Sequence, residues 1–458
     1  MAPRIVIAGG GFGGLYAARR LERVVPHQSA RVELITAENF LLYSPLLPGA
    51  AAGTLEPRHV VVPVRESLRR TEIRLARVTG ADPDRSELSI ITADGRSERV
   101  AYDQLVVALG SVSRVLPVPG LVEHGVGFKT ISEAIALRNR ALEALEIAES
   151  LPSEAERRPY LTFVFVGAGY AGLEGAAELQ DYVADTIERY PRCRLDGTRF
   201  VLVEALDRVM PEIHPRLAAF ATRELRRRGI EVRTSTRVES VEADSVTLTD
   251  GEVVATRTLC WTAGVKATPV VREMGLELDD DGRIVVDQTM RAAGRDNVWA
   301  VGDAAAVPDP ATRGRRASPP TAQHALRQGR LVADNVAAVL GRGRVRPFRY
   351  KTLGVFVDMG RHKAVATMFG IRLRGFPAWF CARTYHLVMT PGTARKLRLM
   401  VDWTVGLLFG RDAVELGQLG HPPSLTGFGE RPSLKQALAE AEARPPDQAD
   451  GLAAARNR

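Results

Sequence analysis

Four consecutive apolar residues, Ile5-Val6-Ile7-Ala8, run into Gly9-Gly10-Gly11-Phe12-Gly13-Gly14, and residues 15–22 continue in good helix formers. That pattern predicts a buried strand, a tight turn and a helix. It returns at Phe163-Val164-Phe165-Val166, with Gly167, Gly169 and Gly172 as the turn and residues 173–182 as the helix. Both sets of glycines fit G-x-G-x-x-G. One glycine makes the turn, one lets the backbone approach a pyrophosphate, and one packs helix on strand. The phosphates would sit at the helix N-terminus, where free N–H groups and the dipole favour negative charge. Two dinucleotide sites are expected in one chain.

The strand ends carry the chemistry. "RFVLVEALDRVMP" is an apolar strand ending in Glu204. An acid there can accept both ribose hydroxyls and repels a 2′-phosphate, so this half should prefer NADH to NADPH. Glu204 follows Gly172 by about 32 residues instead of the usual ~20, the excess reading as an extended helix and loop. The corresponding strand of the first copy, in "RVELITAENF", ends in Thr36, and Glu38 is the candidate ribose ligand from a shifted position. "LVVALGS" runs a strand into Gly110, and "NVWAVGDAAAVPDP" runs another into Gly302-Asp303, where a carboxylate can bind a ribityl hydroxyl. A resident electron carrier and a visiting nicotinamide together need two such sites.

After residue 345 the pattern changes. Residues 348–376 alternate enough for two or three antiparallel strands, and two helical stretches, 377–389 and 394–411, follow on either side of Pro391-Gly392. In the second, Leu397, Met400, Val401, Thr404 and Leu408 share a face that Leu399, Trp403 and Leu407 extend. Arg395, Lys396, Arg398 and Arg411 flank it, and Trp379, Phe380 and Phe409 add aromatic anchors. A basic, aromatic-rimmed amphipathic pair suits a membrane interface, and the same pattern suits core packing or a dimer. Residues 431–458 are Ala, Glu, Arg and Pro with little to bury, and a disordered tail is expected.

Composition adds limits. At 458 residues the chain needs two or three domains, and 45% hydrophobic with 25% charged residues is the balance of a soluble globular protein. The net charge of +8 suits an anionic partner: a dinucleotide, an acidic membrane surface or, least of the three, nucleic acid, for which no module is seen. No run of 18 or more apolar residues occurs, and the first strand begins too early to leave room for a signal peptide, so a cytoplasmic protein is expected. Cys193, Cys260 and Cys381 are far apart and imply neither a disulfide framework nor a metal site.

Taken with these motifs, the chain resembles the flavoproteins with two dinucleotide-binding domains, and within them the type II NADH:quinone oxidoreductases. "FLLYSPLLPGAAAGTLEPRHVVVPVR" resembles their stretch beside the flavin, and "GAGYAGLEGAAEL" is similar to their G-x-G-x-x-G-x-E-x-A-x-E-L, with Glu174 in place. "LCWTAGVKATPVV" and "PTAQHALRQG" resemble their W-T-A-G-V segment and their A-Q-x-A helix start. The resemblance spans residues 4–415, and its motifs fall in order. Thr36, Leu109 and Gly175 depart from the commonest choices at their positions. No cysteine precedes Cys193, which argues against the thiol chemistry of disulfide-reducing relatives.

The resemblance implies an α/β fold of two Rossmann-like domains, FAD-binding (residues 1–115 and 290–345) and NADH-binding (116–289), the second inserted in the first. A small α+β membrane-docking domain (346–430) follows. It assigns Gly9, Gly11, Phe12, Gly13, Gly14, Glu38, Pro45, Leu46, Ala108, Gly110, Gly302, Asp303, Ala322 and Gln323 to FAD, and Gly167, Gly169, Gly172, Glu174, Glu204, Ala263 and Gly264 to NADH. Glu174 and Gln323 are the implied catalytic residues, at the nicotinamide–flavin contact and facing the quinone. The implied enzyme is a non-pumping NADH:quinone oxidoreductase, peripheral on the cytoplasmic face of the cell membrane and homodimeric. Two rivals stay open: a soluble reductase feeding an iron–sulfur protein, and a non-catalytic NADH-responsive flavoprotein. The first would be active with ferredoxin-like acceptors, and the second would turn over slowly or not at all.

Overall fold

The computed structural model describes residues 2–312, 314–350 and 354–415. Strand Arg4–Ala8 lies at the centre of a sheet ordered Val298–Ala300, Gln104–Val107, Arg4–Ala8, Arg31–Thr36, Glu72–Asp82, Glu87–Thr92 and Ser97–Ala101. The first five are parallel neighbours, and the last two pair antiparallel at one edge. The apolar run 5–8 is the strand with both faces covered, as a buried parallel strand requires.

The second glycine-turn strand, Thr162–Val166, is buried at every position and sits in a five-stranded parallel sheet. The order is Gly125–Gly127, Thr258–Trp261, Thr162–Val166, Arg199–Val203 and Ile230–Arg233. Strands Ser111–Ser113 and Val265–Ala267 pair antiparallel where the chain leaves the first sheet and returns. The second unit is thus inserted into the first. The return comes earlier than the expected residue 290: Val271, Met274, Ile284 and Val286 already pack in the core built around Ile5, Leu34 and Trp299. Their apolar side chains complete the first core, so the boundary falls just after Ala267.

The third part holds three antiparallel strands, Gly354–Asp358, Ala364–Met368 and Ile371–Gly375, then helices Phe376–Met389 and Thr393–Phe409. Helix Tyr170–Thr186 packs where the three parts meet. One hydrophobic cluster joins its Leu173, Ala177 and Tyr182 to Leu47 and Ala51 of the first part and to Val357 of the third. Residues 431–458, expected to be disordered, lie outside the described residues.

Candidate active site

The two glycine turns have matching geometry. Gly9 and Gly167 adopt φ of 110° and 98°, a region that penalises any Cβ. A Cβ on Gly14 or Gly172 would stand 1.8 Å from the carbonyl oxygen of Gly9 or Gly167, so helix and strand close up only around glycine. Gly11 and Gly169 differ: a Cβ there would meet nothing within 4 Å. Each is the N-cap of its helix, Phe12–Val24 or Tyr170–Thr186, without a side-chain cap. Open space in front of uncapped N–H groups is the form of a pyrophosphate cradle, and both turns fit one.

The strand ends beside the turns differ. Glu204, 8% exposed, accepts from the Ala168 N–H at 2.7 Å and the Leu206 N–H at 2.9 Å, which fixes its carboxylate beside the second turn. Thr36 is buried beside the first turn and donates to the Glu38 carbonyl. The Glu38 side chain is exposed.

Asp303 stands at the mouth of the first sheet, where it accepts from Ser111 Oγ at 2.5 Å. Ser111 in turn accepts from Lys129 Nζ at 2.8 Å. Burial pulls Lys129 below the ordinary lysine value, against the pull of Asp303 and Glu133. Ser111 ends the "LVVALGS" stretch noted from sequence; Lys129 had no spacing signal. Gly302 N–H donates to Gln328 of the helix Ala322–Val339. Thr321 caps that helix by accepting from the His324 N–H, leaving further N–H groups of the first turn uncapped. The Gln323 amide donates to the Gly354 carbonyl at 3.2 Å and accepts from the Tyr350 hydroxyl at 2.7 Å, which ties it to the start of strand Gly354–Asp358.

The other end of that strand enters a cavity. Its walls include Pro45, Leu46, Glu174, Asp358, Arg383 and His386. Asp358 N–H donates to Glu174 Oε1 at 2.9 Å. Burial holds Glu174 well above the usual carboxylate range and pushes Asp358 up to about 7, with Glu178 adding to both shifts. Burial alone lowers His386 to about 4, so its ring is neutral at neutral pH. Glu174, Pro45 and Leu46 are candidate site residues from the sequence, and this cavity brings them together; Asp358, Arg383 and His386 carry no such signal.

Four expectations for the C-terminal helices need correction, the first being Trp379, which is 7% exposed and packs on Ala364 and Ala366 instead of anchoring an outer face. Leu399 is fully buried and Trp403 packs beside it against Tyr43 and Leu46, so they face the protein and do not extend the outer face. Arg395 is 7% exposed and donates to the Arg58 carbonyl at 2.8 Å. Arg411 turns inward to Glu178, 3.8 Å away. Helical period fixes which residues share a face, but not which face meets the rest of the chain. The outward face carries Leu397, Met400, Val401, Val405 and Leu408.

With this geometry in view, the comparisons with known proteins are specific. The model of the pyridine nucleotide-disulphide oxidoreductases matches residues 3–329. The chain is 31% identical over 424 residues to the type II NADH:quinone oxidoreductase Ndh of Mycobacterium tuberculosis, which covers 89% of each chain. It is also 31% identical over 415 residues to the demethylphylloquinone reductase NdbB of Synechocystis, 88% of this chain and 95% of that one. NDH2 from Plasmodium falciparum, solved in complex with NADH, shares the fold at a TM-score of 0.84 over 90% of this chain and 100% of its own, with 18% identity. The chain belongs to the pyridine nucleotide-disulphide oxidoreductases and, within them, to the type II NADH dehydrogenase family. It is an oxidoreductase enzyme without the dithiol of the wider family's name: its three cysteines are free, and none precedes Cys193.

Proposed function

We propose that the enzyme oxidises NADH and reduces a membrane quinone in a two-electron, non-pumping reaction, with FAD in the first dinucleotide site. The observation that carries this reading is the pair of open, uncapped glycine turns, with a carboxylate-bearing cavity at Glu174 on the helix that the second turn begins. Bound FAD supplies the two-electron relay between nicotinamide and quinone. The rest is done by the chain. The uncapped helix starts at Gly11 and Gly169 would hold the two pyrophosphates. Glu204 keeps lone pairs for the hydroxyls of the adenosine ribose and repels a 2′-phosphate there, favouring NADH over NADPH. Asp303, held by Ser111, would take a ribityl hydroxyl of FAD, and the uncapped first-turn N–H groups at Ala322 and Gln323 would favour negative charge on the flavin. Pro45 and Leu46, given to FAD by the resemblance, wall the cavity and with its other apolar walls would keep water from flavin and quinone alike.

The reading extends to a peripheral position on the cytoplasmic face of the membrane. Among the described residues no helix is long and apolar enough to cross a membrane. Support comes from the outward face of the last helix, where Leu408 is 72% and Phe409 82% exposed, with Lys396 and Arg398 beside its first turns. A second copy of the chain is the rival occupant of this face. Vesicle flotation that fails while light scattering reports a dimer would favour it.

The test is anaerobic. One equivalent of NADH is added to the FAD-loaded protein and the flavin band is followed, then a short-chain menaquinone is added. Bleaching followed by recovery is expected. Bleaching without recovery would remove the quinone, and recovery only with an iron–sulfur protein would favour the soluble reductase. No bleaching would remove NADH as donor.

A further inference from the structure

Helix Tyr170–Thr186 places Glu174, Glu178 and Asp181 at i, i+4 and i+7, on one face. That face points inward: Glu178 is 4% and Asp181 2% exposed. Three carboxylates on a buried face, with Asp358 brought against the first of them, need cations. Asp181 has Arg228 and Arg361 as ion-pair partners, and Glu178 has Arg411 at 3.8 Å. Glu174 and Asp358 have no such partner among the described residues. The guanidinium nearest in charge, Arg383, lies over the Trp379 and Trp403 rings at 4.4 and 4.9 Å, outside ion-pair distance of either acid. Two adjacent carboxyls without a paired cation cannot both be ionised cheaply, so the pair retains a proton.

The backbone holds this arrangement. Asp358 N–H donates to Glu174 Oε1 and Gly360 N–H donates to Asp358 Oδ1, each at 2.9 Å. The described residues give Glu174 Oε2 and Asp358 Oδ2 no hydrogen-bond partner, and both residues line the cavity. These two oxygens are therefore left for whatever enters.

We propose that Asp358, paired with Glu174, is the proton donor to the quinone in this cavity. The inference rests on the NADH:quinone reading. Its balance is NADH + H⁺ + quinone → NAD⁺ + quinol. The hydride of NADH carries two electrons and one proton, so quinol needs one proton more. The O–H bond of the carboxyl pair breaks, an O–H bond forms on the quinone oxygen, and solvent returns the proton to the carboxylate before the next turnover. Asp358, pushed up to about 7, exchanges a proton near neutral pH. Its neighbours are Glu174, Glu178 and Asp181 from the helix, Arg383 and the neutral His386 from helix Phe376–Met389, the Gly360 N–H, and Arg228, which pairs with Asp181 and donates to the Met359 carbonyl. Loss of the proton as pH rises through about 7 should slow quinone reduction and leave NADH oxidation alone.

Stopped-flow halves of the reaction test this across pH in wild type, D358N and D358E. In wild type, quinone-driven recovery of the flavin band should fall as pH rises through neutrality. In D358N it should slow about tenfold or more and lose that inflection, with NADH bleaching retained, and D358E should restore both. A D358N profile matching wild type would overturn the proposal. Wild type that bleaches and never recovers with quinone would instead overturn the quinone reading. If D358N does not fold, infrared titration of wild type decides: a carboxyl C=O band that titrates near neutral pH supports the proposal, and its absence overturns it.

Discussion

The two glycine turns share a backbone and differ in the side chain at the end of the next strand. Both N-cap glycines sit at φ near −70°, −71° in the first turn and −73° in the second. In the second turn the middle residue, Ala168, gives its N–H to Glu204. In the first, the equivalent Gly10 N–H has no acceptor among the described residues, and a Cβ on Gly10 would press to 2.4 Å from Thr36 Oγ1. The glycine turn supplies a general cradle for phosphates, and the strand end sets which ribose it reads. On the proposed assignment, a visiting nicotinamide nucleotide must be recognised at every turnover, and Glu204 would stand on that side. On the same assignment, a resident cofactor would draw on contacts spread over Asp303, helix Ala322–Val339 and the turn itself.

The largest expected effect comes from filling the cradles one at a time. Because the space at Gly11 and Gly169 is empty, Gly11→Val and Gly169→Val add bulk where the protein has room and a phosphate does not. Loss of the N-cap preference should cost about 1 kcal/mol of stability in each. G11V should purify without flavin. G169V should keep its flavin spectrum and lose NADH bleaching, with nucleotide affinity down about 100-fold, or roughly 2.7 kcal/mol by titration. Loss of flavin from G169V would show that the two turns do not serve separate cofactors.

Glu204→Gln comes next. The amide keeps one acceptor oxygen and turns an N–H₂ toward a backbone donor, Ala168 or Leu206. NADH binding should weaken about tenfold or more, since a hydrogen bond to a charged group contributes roughly 1.5–3 kcal/mol. NADPH should lose less, because the charge that repels its 2′-phosphate has gone. An unchanged NADH:NADPH ratio would mean that the carboxylate serves the turn and not the ribose.

What could be read from the sequence follows from locality. A strand buried on both faces must be apolar for its whole length, and a turn that admits no Cβ must be glycine, so both strand-turn-helix units were plain from residues 4–22 and 163–182. Glu174 was legible because it lies in the same helix as its motif. Asp358 was not: it meets Glu174 across 184 residues of sequence through a strand-end amide, and no spacing announces that meeting. The outward face of the last helix was half legible, since Leu397 and Leu408 point out as the period required. Leu399, Arg395 and Arg411 depended on what the rest of the fold presented to them.

The smallest effect would sharpen the comparison most. Thr36→Glu gives the first turn the acid of the second, at a strand end where Thr36 Oγ1 now bonds the Glu38 carbonyl at 2.9 Å. The new carboxylate should take the free Gly10 N–H as Glu204 takes that of Ala168, and offer its other oxygen to the FAD ribose. Against this stands the loss of the Thr36–Glu38 bond and the burial of a charge at a position now 4% exposed. Gly10 lacks the side chain that Ala168 carries, so the turn has room to adjust. The balance favours binding: FAD dissociation should slow and its Kd fall about tenfold, or roughly 1.4 kcal/mol, by fluorescence titration of the apoprotein. NADH bleaching should stay as it is, because Glu204 is untouched. Weaker FAD binding with an intact fold would show that the first turn reads its ribose from elsewhere, and would leave exposed Glu38 as the residue to substitute next.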